Sequence, residues 1–134
     1  MKIKINNSTT VKDVQQQFQK AFAYLKIEFA DKSHEFGETT KTKHWYDKSF
    51  KLSAISKKFN ADTIGVQGWK KTGDVEEEFK TKFLLFPQIY RREGAQWIQT
   101  AGTDIFTLDE QNAIGKKSLE NPSDNLWIER EKIL

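Results

Sequence analysis

Apolar and polar residues alternate over residues 2–6, KIKIN, and the spacing then changes to threes and fours at Val11, Val14, Phe18, Ala21 and Phe22. Period two is the signature of a half-buried strand, and the wider spacing is that of a helix with one apolar stripe. The pattern predicts a helix over residues 11–23. Thr10 and Asp13 stand at capping-box spacing at its start, with Asp in place of the usual Glu or Gln. Leu25, Ile27 and Phe29 then alternate again, so residues 24–29 return as a strand.

The same pattern recurs. Residues 64–90 align with 3–29 at a constant offset of 61: Ile3 and Ile5 meet Ile64 and Val66, Asp13 and Val14 meet Asp74 and Val75, and Phe18, Phe22 and Phe29 meet Phe79, Phe83 and Tyr90. The second unit opens on a strand within 62–68, and Thr72 or Asp74 is placed to cap its helix. Asp74, Glu76, Glu77 and Glu78 crowd the first turn, where the positive end of the helix dipole favours acids. Pro87 cannot donate to a ladder, so the returning strand is expected to begin after it or to lie on a sheet edge.

Each unit continues into a further strand, at residues 35–46 and 96–102, and then into a short apolar-anchored segment, at 49–58 and 105–117. In the latter, Thr107 and Glu110 form a capping box and Gly115 reads as a C-terminal cap. A final strand is expected at 125–131. The fold class predicted is α+β: two tandem strand–helix–strand–strand repeats forming a mixed or mainly antiparallel sheet with helices on one face. The 134 residues are read as one compact domain built from an internal duplication, approximately 1–61 and 62–134.

Charge distinguishes the two units. The net charge is +3, yet the first 61 residues hold 12 Lys against 6 acids and the remainder 10 Lys plus Arg against 13 acids. Opposite charge on related halves suits attraction within the molecule or between molecules. Cysteine is absent, which removes disulfides and thiolate chemistry. No stretch reaches the roughly 20 apolar residues of a membrane span, and no secretory signal opens the chain, so a cytoplasmic location with no membrane contact is expected.

Candidate chemistry is sparse. His34 and His44 are the only groups that titrate near neutrality without perturbation. Asp31, His34, Glu35 and Glu38 crowd one turn, but their spacing matches no metal-ligand motif, and phosphate loops, dinucleotide fingerprints and nucleophile elbows are missing. No catalytic residue, metal or cofactor is assigned. A small hydrolase around His34 and Glu38 is the weakest reading.

Residues 41–51, KTKHWYDKSFK, interleave lysines with aromatics, as surfaces for single-stranded nucleic acid do: lysines neutralise phosphates, and each stacked base contributes about 1–3 kcal/mol. Plain strand alternation accounts for the same pattern without any ligand. Trp45, Trp69, Trp97 and Trp127 fall in strands or beside them, where tryptophans serve equally as core residues and as hot spots for protein partners. The leading expectation is a non-catalytic protein-interaction module, binding a protein partner or itself through Lys41, Lys43, His44, Trp45, Tyr46, Lys48, Trp69 and Trp97. The alternative is single-stranded nucleic-acid binding through 41–51.

Residues 10–29 and 74–115 resemble a family of small uncharacterised proteins of Bacteroidetes-type bacteria, in which a TDxWTLxxQNxxG-like segment follows a WLxT strand. Trp97, Thr100, Thr103, Asp104, Thr107, Leu108, Gln111, Asn112 and Gly115 carry the likeness, with Phe106 in place of the family's Trp. The resemblance implies no activity and no catalytic residue. The helix start TVKDV is also similar to that of β-grasp proteins, although one strand rather than a hairpin precedes it.

Overall fold

The computed structural model describes residues 1–31 and 44–120. The elements run β1 (Lys2–Ile5), α1 (Val11–Ala21), β2 (Leu25–Ala30), α2 (Leu52–Ile55), β3 (Asp62–Gly65), α3 (Thr72–Phe83), β4 (Phe86–Glu93), β5 (Gln96–Gln99), a 3-10 turn (Ala101–Thr103) and α4 (Leu108–Glu120). This is an α+β fold.

All strand pairs are antiparallel, but they form two sheets where the sequence pattern suggested one: β1 with β3, and β2–β4–β5. The pairing joins related strands to each other. Ile3 faces Ile64 in the first sheet, and Ile27 faces Ile89 in the second. Each pair marks a local two-fold relation between the halves. The offset within these pairs is 61 in the first and 62 in the second, so the second half carries one extra residue between them. That residue lies at the end of α3, where Leu84 adopts a left-handed φ of 51°. There the amides of Leu84 and Leu85 close the helix on Lys80 O and Phe79 O.

The related loops are fastened alike. Val11 N donates to Phe50 O at 2.9 Å, Lys12 N to Lys48 O at 2.9 Å and Leu52 N to Thr9 O at 2.9 Å. Their counterparts are Thr72 N to Phe106 O at 2.8 Å, Gly73 N to Asp104 O at 3.0 Å and Leu108 N to Lys70 O at 2.9 Å. Residues before the loops correspond at an offset of 61 and those after them at 56. On this mapping α2 matches the start of α4.

One apolar core runs through both halves, with Phe18, Phe29, Phe79, Phe83, Ile3 and Ile64 fully buried. The helices meet the inward face of the three-stranded sheet, as Phe79 does edge-on against Phe29 at 5.4 Å. At Pro87 only β2 pairs with β4, because β5 reaches no further than Tyr90. Odd positions of β4 point toward β5, as the bond from Thr100 N to Ile89 O shows. The missing N–H of Pro87 therefore falls on a locally unpaired side, which is why proline is accepted inside a strand that is central elsewhere.

Two helix ends differ from expectation. The α3 N-cap is Lys71, with no side-chain cap, and neither Thr72 nor Asp74 takes that role. The Thr72 hydroxyl is instead drawn to Phe106 O at 2.8 Å. Likewise α4 does not stop at Gly115 but continues to Glu120. Gly115 is needed for close packing: a Cβ there would lie 2.9 Å from Tyr24 Cβ and 3.1 Å from Tyr24 O.

Candidate functional site

Of the residues singled out from sequence, His34, Glu35, Glu38, Lys41, Lys43 and Trp127 lie outside the described residues, as do the strand expected at 125–131 and residues 35–43 of the strand expected at 35–46. The rest separate into two places, and the stretch 44–51 does not act as one surface. Trp45 bridges Ala30 on the free edge of β2, and its ring meets Tyr90 edge-on at 6.0 Å. Tyr46, the next residue, turns inward against the core with Ile55 and Phe59. His44 and Lys48 are exposed.

Strand register places Trp45, Tyr90 and Trp97 on the outward face of the three-stranded sheet, with Lys26 opposite Tyr90 and Arg92 opposite Trp97. Lys26 Nζ sits 5.0 Å from the Tyr90 ring and 5.3 Å from the Trp97 ring, and Arg92 lies 5.0 Å from Trp97. Lys26 also pairs with Glu28 at 3.7 Å. The cations thus cover the ring faces that a base would need. This face is half-buried and largely satisfied by its own contacts.

The second place is more exposed. Trp69 is 71% exposed, the most of any large apolar residue described, and Ile105 follows at 66%. They occupy the two loops joined by the Thr72–Phe106 and Leu108–Lys70 bonds. The corresponding residues of the first half are Ser8 and Ser49, both exposed. Beside Trp69 lies a shallow cleft of about 320 Å³ lined by Lys70, Lys71, Asp74 and Glu78. Lys70 Nζ is held by Gly65 O at 2.9 Å and by Glu78 at 2.8 Å. Partial burial raises the Glu78 pKa, but bonds from Lys70 and Lys82 outweigh it and hold it below its ordinary value. Asp74 remains at the cleft as an exposed carboxylate. Its counterpart Asp13 is consumed by the α1 capping box, accepting from Thr10 N at 2.9 Å.

Beneath these loops lie two buried acids, Glu76, which the sequence pattern places in the first turn of a helix, and Asp104, which it places in the TDxWTLxxQNxxG-like segment. Glu76 is only 8% exposed and Asp104 only 6%. Glu76 Oε2 accepts from Ile89 N at 2.9 Å. Burial, joined by the charge of Asp104, pushes the Glu76 carboxyl up to about 8. The counterparts in the first half are Gln15 and Lys48. Gln15 does the neutral version of the same job, donating to Ile27 O at 3.0 Å. Subtracting one half of the sequence from the other at offsets of 61 and 56 is the signal that would have found Glu76, Asp104 and Ile105.

The residues of the TDxWTLxxQNxxG-like segment hold structure here. Thr100 bonds Ile89 O at 2.8 Å, Gln111 bonds Thr103 O at 2.9 Å and Arg91 at 2.8 Å, and Asn112 accepts from Tyr24 N at 2.9 Å. Among the described residues no group of three or more His, Cys, Asp or Glu is placed to hold a metal, and no helix is long and apolar enough to cross a membrane. No family model, curated protein or solved structure matches the chain.

Proposed function

We propose that this chain is a non-catalytic protein-interaction module that docks a protein partner on the paired loops carrying Trp69 and Ile105. The observation behind this reading is the exposure of two large apolar side chains, Trp69 at 71% and Ile105 at 66%, where the matching positions of the first half hold exposed serines. Neither gains from folding at that exposure. Each contributes about 25 cal/mol per Å² of apolar surface once a partner covers it. Tryptophan is enriched among interface anchors, and Lys70, Lys71, Asp74 and Glu78 supply a polar rim beside it.

The test restores the residues of the first half, Trp69→Ser together with Ile105→Ser. A partner co-purified with the wild type, then reconstituted from pure components, is expected to lose at least tenfold in affinity. Light scattering after size exclusion covers a partner that is a second copy of the chain. Equal affinity for the variant, with its melting temperature unchanged, sinks the proposal.

A further inference from the structure

The two loop pairs differ in charge at matching positions. On the second-half end, Glu77, Asp109 and Glu110 stand where the first half has Gln16, Ser53 and Ala54, and all three acids are exposed. On the first-half end, the exposed Lys12, Lys48 and Lys51 stand where the second half has Gly73, Asp104 and Thr107. Local bonds leave this contrast in place. At the first-half end Asp13 accepts from Thr10 N at 2.9 Å, and Asp47 accepts from Ser49 N at 3.1 Å and from its hydroxyl at 2.6 Å, with three exposed lysines beside them. At the second-half end Lys70 is held by Gly65 O and Glu78, and the exposed acids Asp74, Glu77, Asp109 and Glu110 outnumber the exposed Lys71. Each end also presents apolar surface: Trp69 and Ile105 on one, and Phe50, 46% exposed, on the other.

We propose that the partner seated on Trp69 and Ile105 is a second copy of this chain, which docks there by its own first-half loops. Phe50 then covers the apolar pair, and Lys12, Lys48 and Lys51 meet the acids around it. The inference rests on the docking reading above and names its occupant. The topology makes this contact run between molecules. β1 and β3 lie antiparallel, Lys2 against Gly65 and Ile5 against Asp62, and each leads into the first loop of its own half. The two loop pairs therefore stand at opposite ends of that sheet, and one molecule cannot close on itself through them. Docking is head to tail, so an assembly keeps one free basic end and one free acidic end unless it closes as a ring. Opposite charges at the rim set the orientation, because acid against acid or lysine against lysine is repelled. Burial of the aromatic and aliphatic side chains supplies the affinity.

Sedimentation velocity on the full chain tests this without any other protein. The wild type is expected to gain mass with concentration, past a dimer. Its association should weaken about tenfold from about 0.1 M to about 1 M salt, as the screening length falls from about 10 Å to about 3 Å. Trp69→Ser with Ile105→Ser disables the second-half end, and Lys48→Glu with Phe50→Ser disables the first-half end. Each variant alone is expected to be a monomer. Mixed in equal amounts they should form a one-to-one pair that grows no further, since each still has the end the other lacks. Phe50 also packs edge-on against Tyr46 at 5.7 Å, so Lys48→Glu with Lys51→Glu, both exposed, serves as a second first-half variant. A wild type that stays monomeric at every concentration overturns self-docking. So does a mixture no heavier than its parts, or an association that salt leaves unchanged. The docking reading itself fails on a different result, equal affinity of wild type and Trp69→Ser with Ile105→Ser for a separate co-purified partner.

Discussion

Gln15 and Glu76 occupy the same place on related helices and reach the same place on related strands, Ile27 in one half and Ile89 in the other. One is an amide that donates to a carbonyl. The other is a buried carboxyl that accepts from an amide and whose pKa burial raises to about 8. The comparison teaches that matching packing positions tolerate polar contacts of opposite sense between helix and sheet. The differences gather around one pair of loops in the second half: the acids below, Trp69 and Ile105 above, and a helix start without a side-chain cap.

The equivalence of the cores is the part of this comparison with the largest expected effect. Phe18 and Phe79 are both fully buried at matching positions. Each Phe→Ala substitution should cost about 3–5 kcal/mol in urea denaturation, and the two values should agree to within about 1 kcal/mol. A large disparity would mean that the halves do not share their core evenly.

Next comes the polar contact itself. Glu76 has a folded pKa raised above its unfolded value, so its contribution is fully present below about 4.5 and is lost as pH rises toward about 8. Glu76→Gln keeps an acceptor for Ile89 N and binds no proton. It should stabilise the fold on the order of 3 kcal/mol at pH 7 and by little at pH 4. Denaturation midpoints at the two pH values measure this, and a variant destabilised at pH 7 would contradict it.

The smallest effect is at the helix starts. α1 has the reciprocal Thr10–Asp13 box and α3 has Lys71 followed by Asp74. Lys71→Thr should rebuild the box with Asp74 and stabilise by about 0.5–1 kcal/mol, read as a rise in melting temperature. No gain would show that the loop bonds to Phe106 and Asp104 already fix this end.

Much of this fold is visible in the residue pattern, for reasons that are local. The stripe Val11, Val14, Phe18 and the boxes at Thr10–Asp13 and Thr107–Glu110 depend only on neighbours within a turn or two, and they form as the spacing predicts. The end of α4 was misjudged because Gly115 answers to Tyr24, far off in sequence, and not to its own helix. Two sheets in place of one were equally out of reach, since alternation marks a strand without naming its partner. Of the candidate site, Trp69 was legible as a tryptophan beside a helix start, but its exposure was not. Trp45 and Tyr46 look interchangeable in sequence and point opposite ways. The importance of Glu76 depends on its own burial first and on Asp104 second, and no local spacing encodes either.

Leu84 carries a consequence of another kind. Because side chains alternate across a strand, one additional residue ahead of β4 exchanges its inner and outer faces relative to β2. Phe29 lies in the core, yet Tyr90, its partner in the sequence alignment, stands on the open side of the sheet. A single step in a left-handed turn thus gives two similar stretches of chain opposite insides and outsides. The kinds of residue are nearly the same, and the register decides which of them meet solvent.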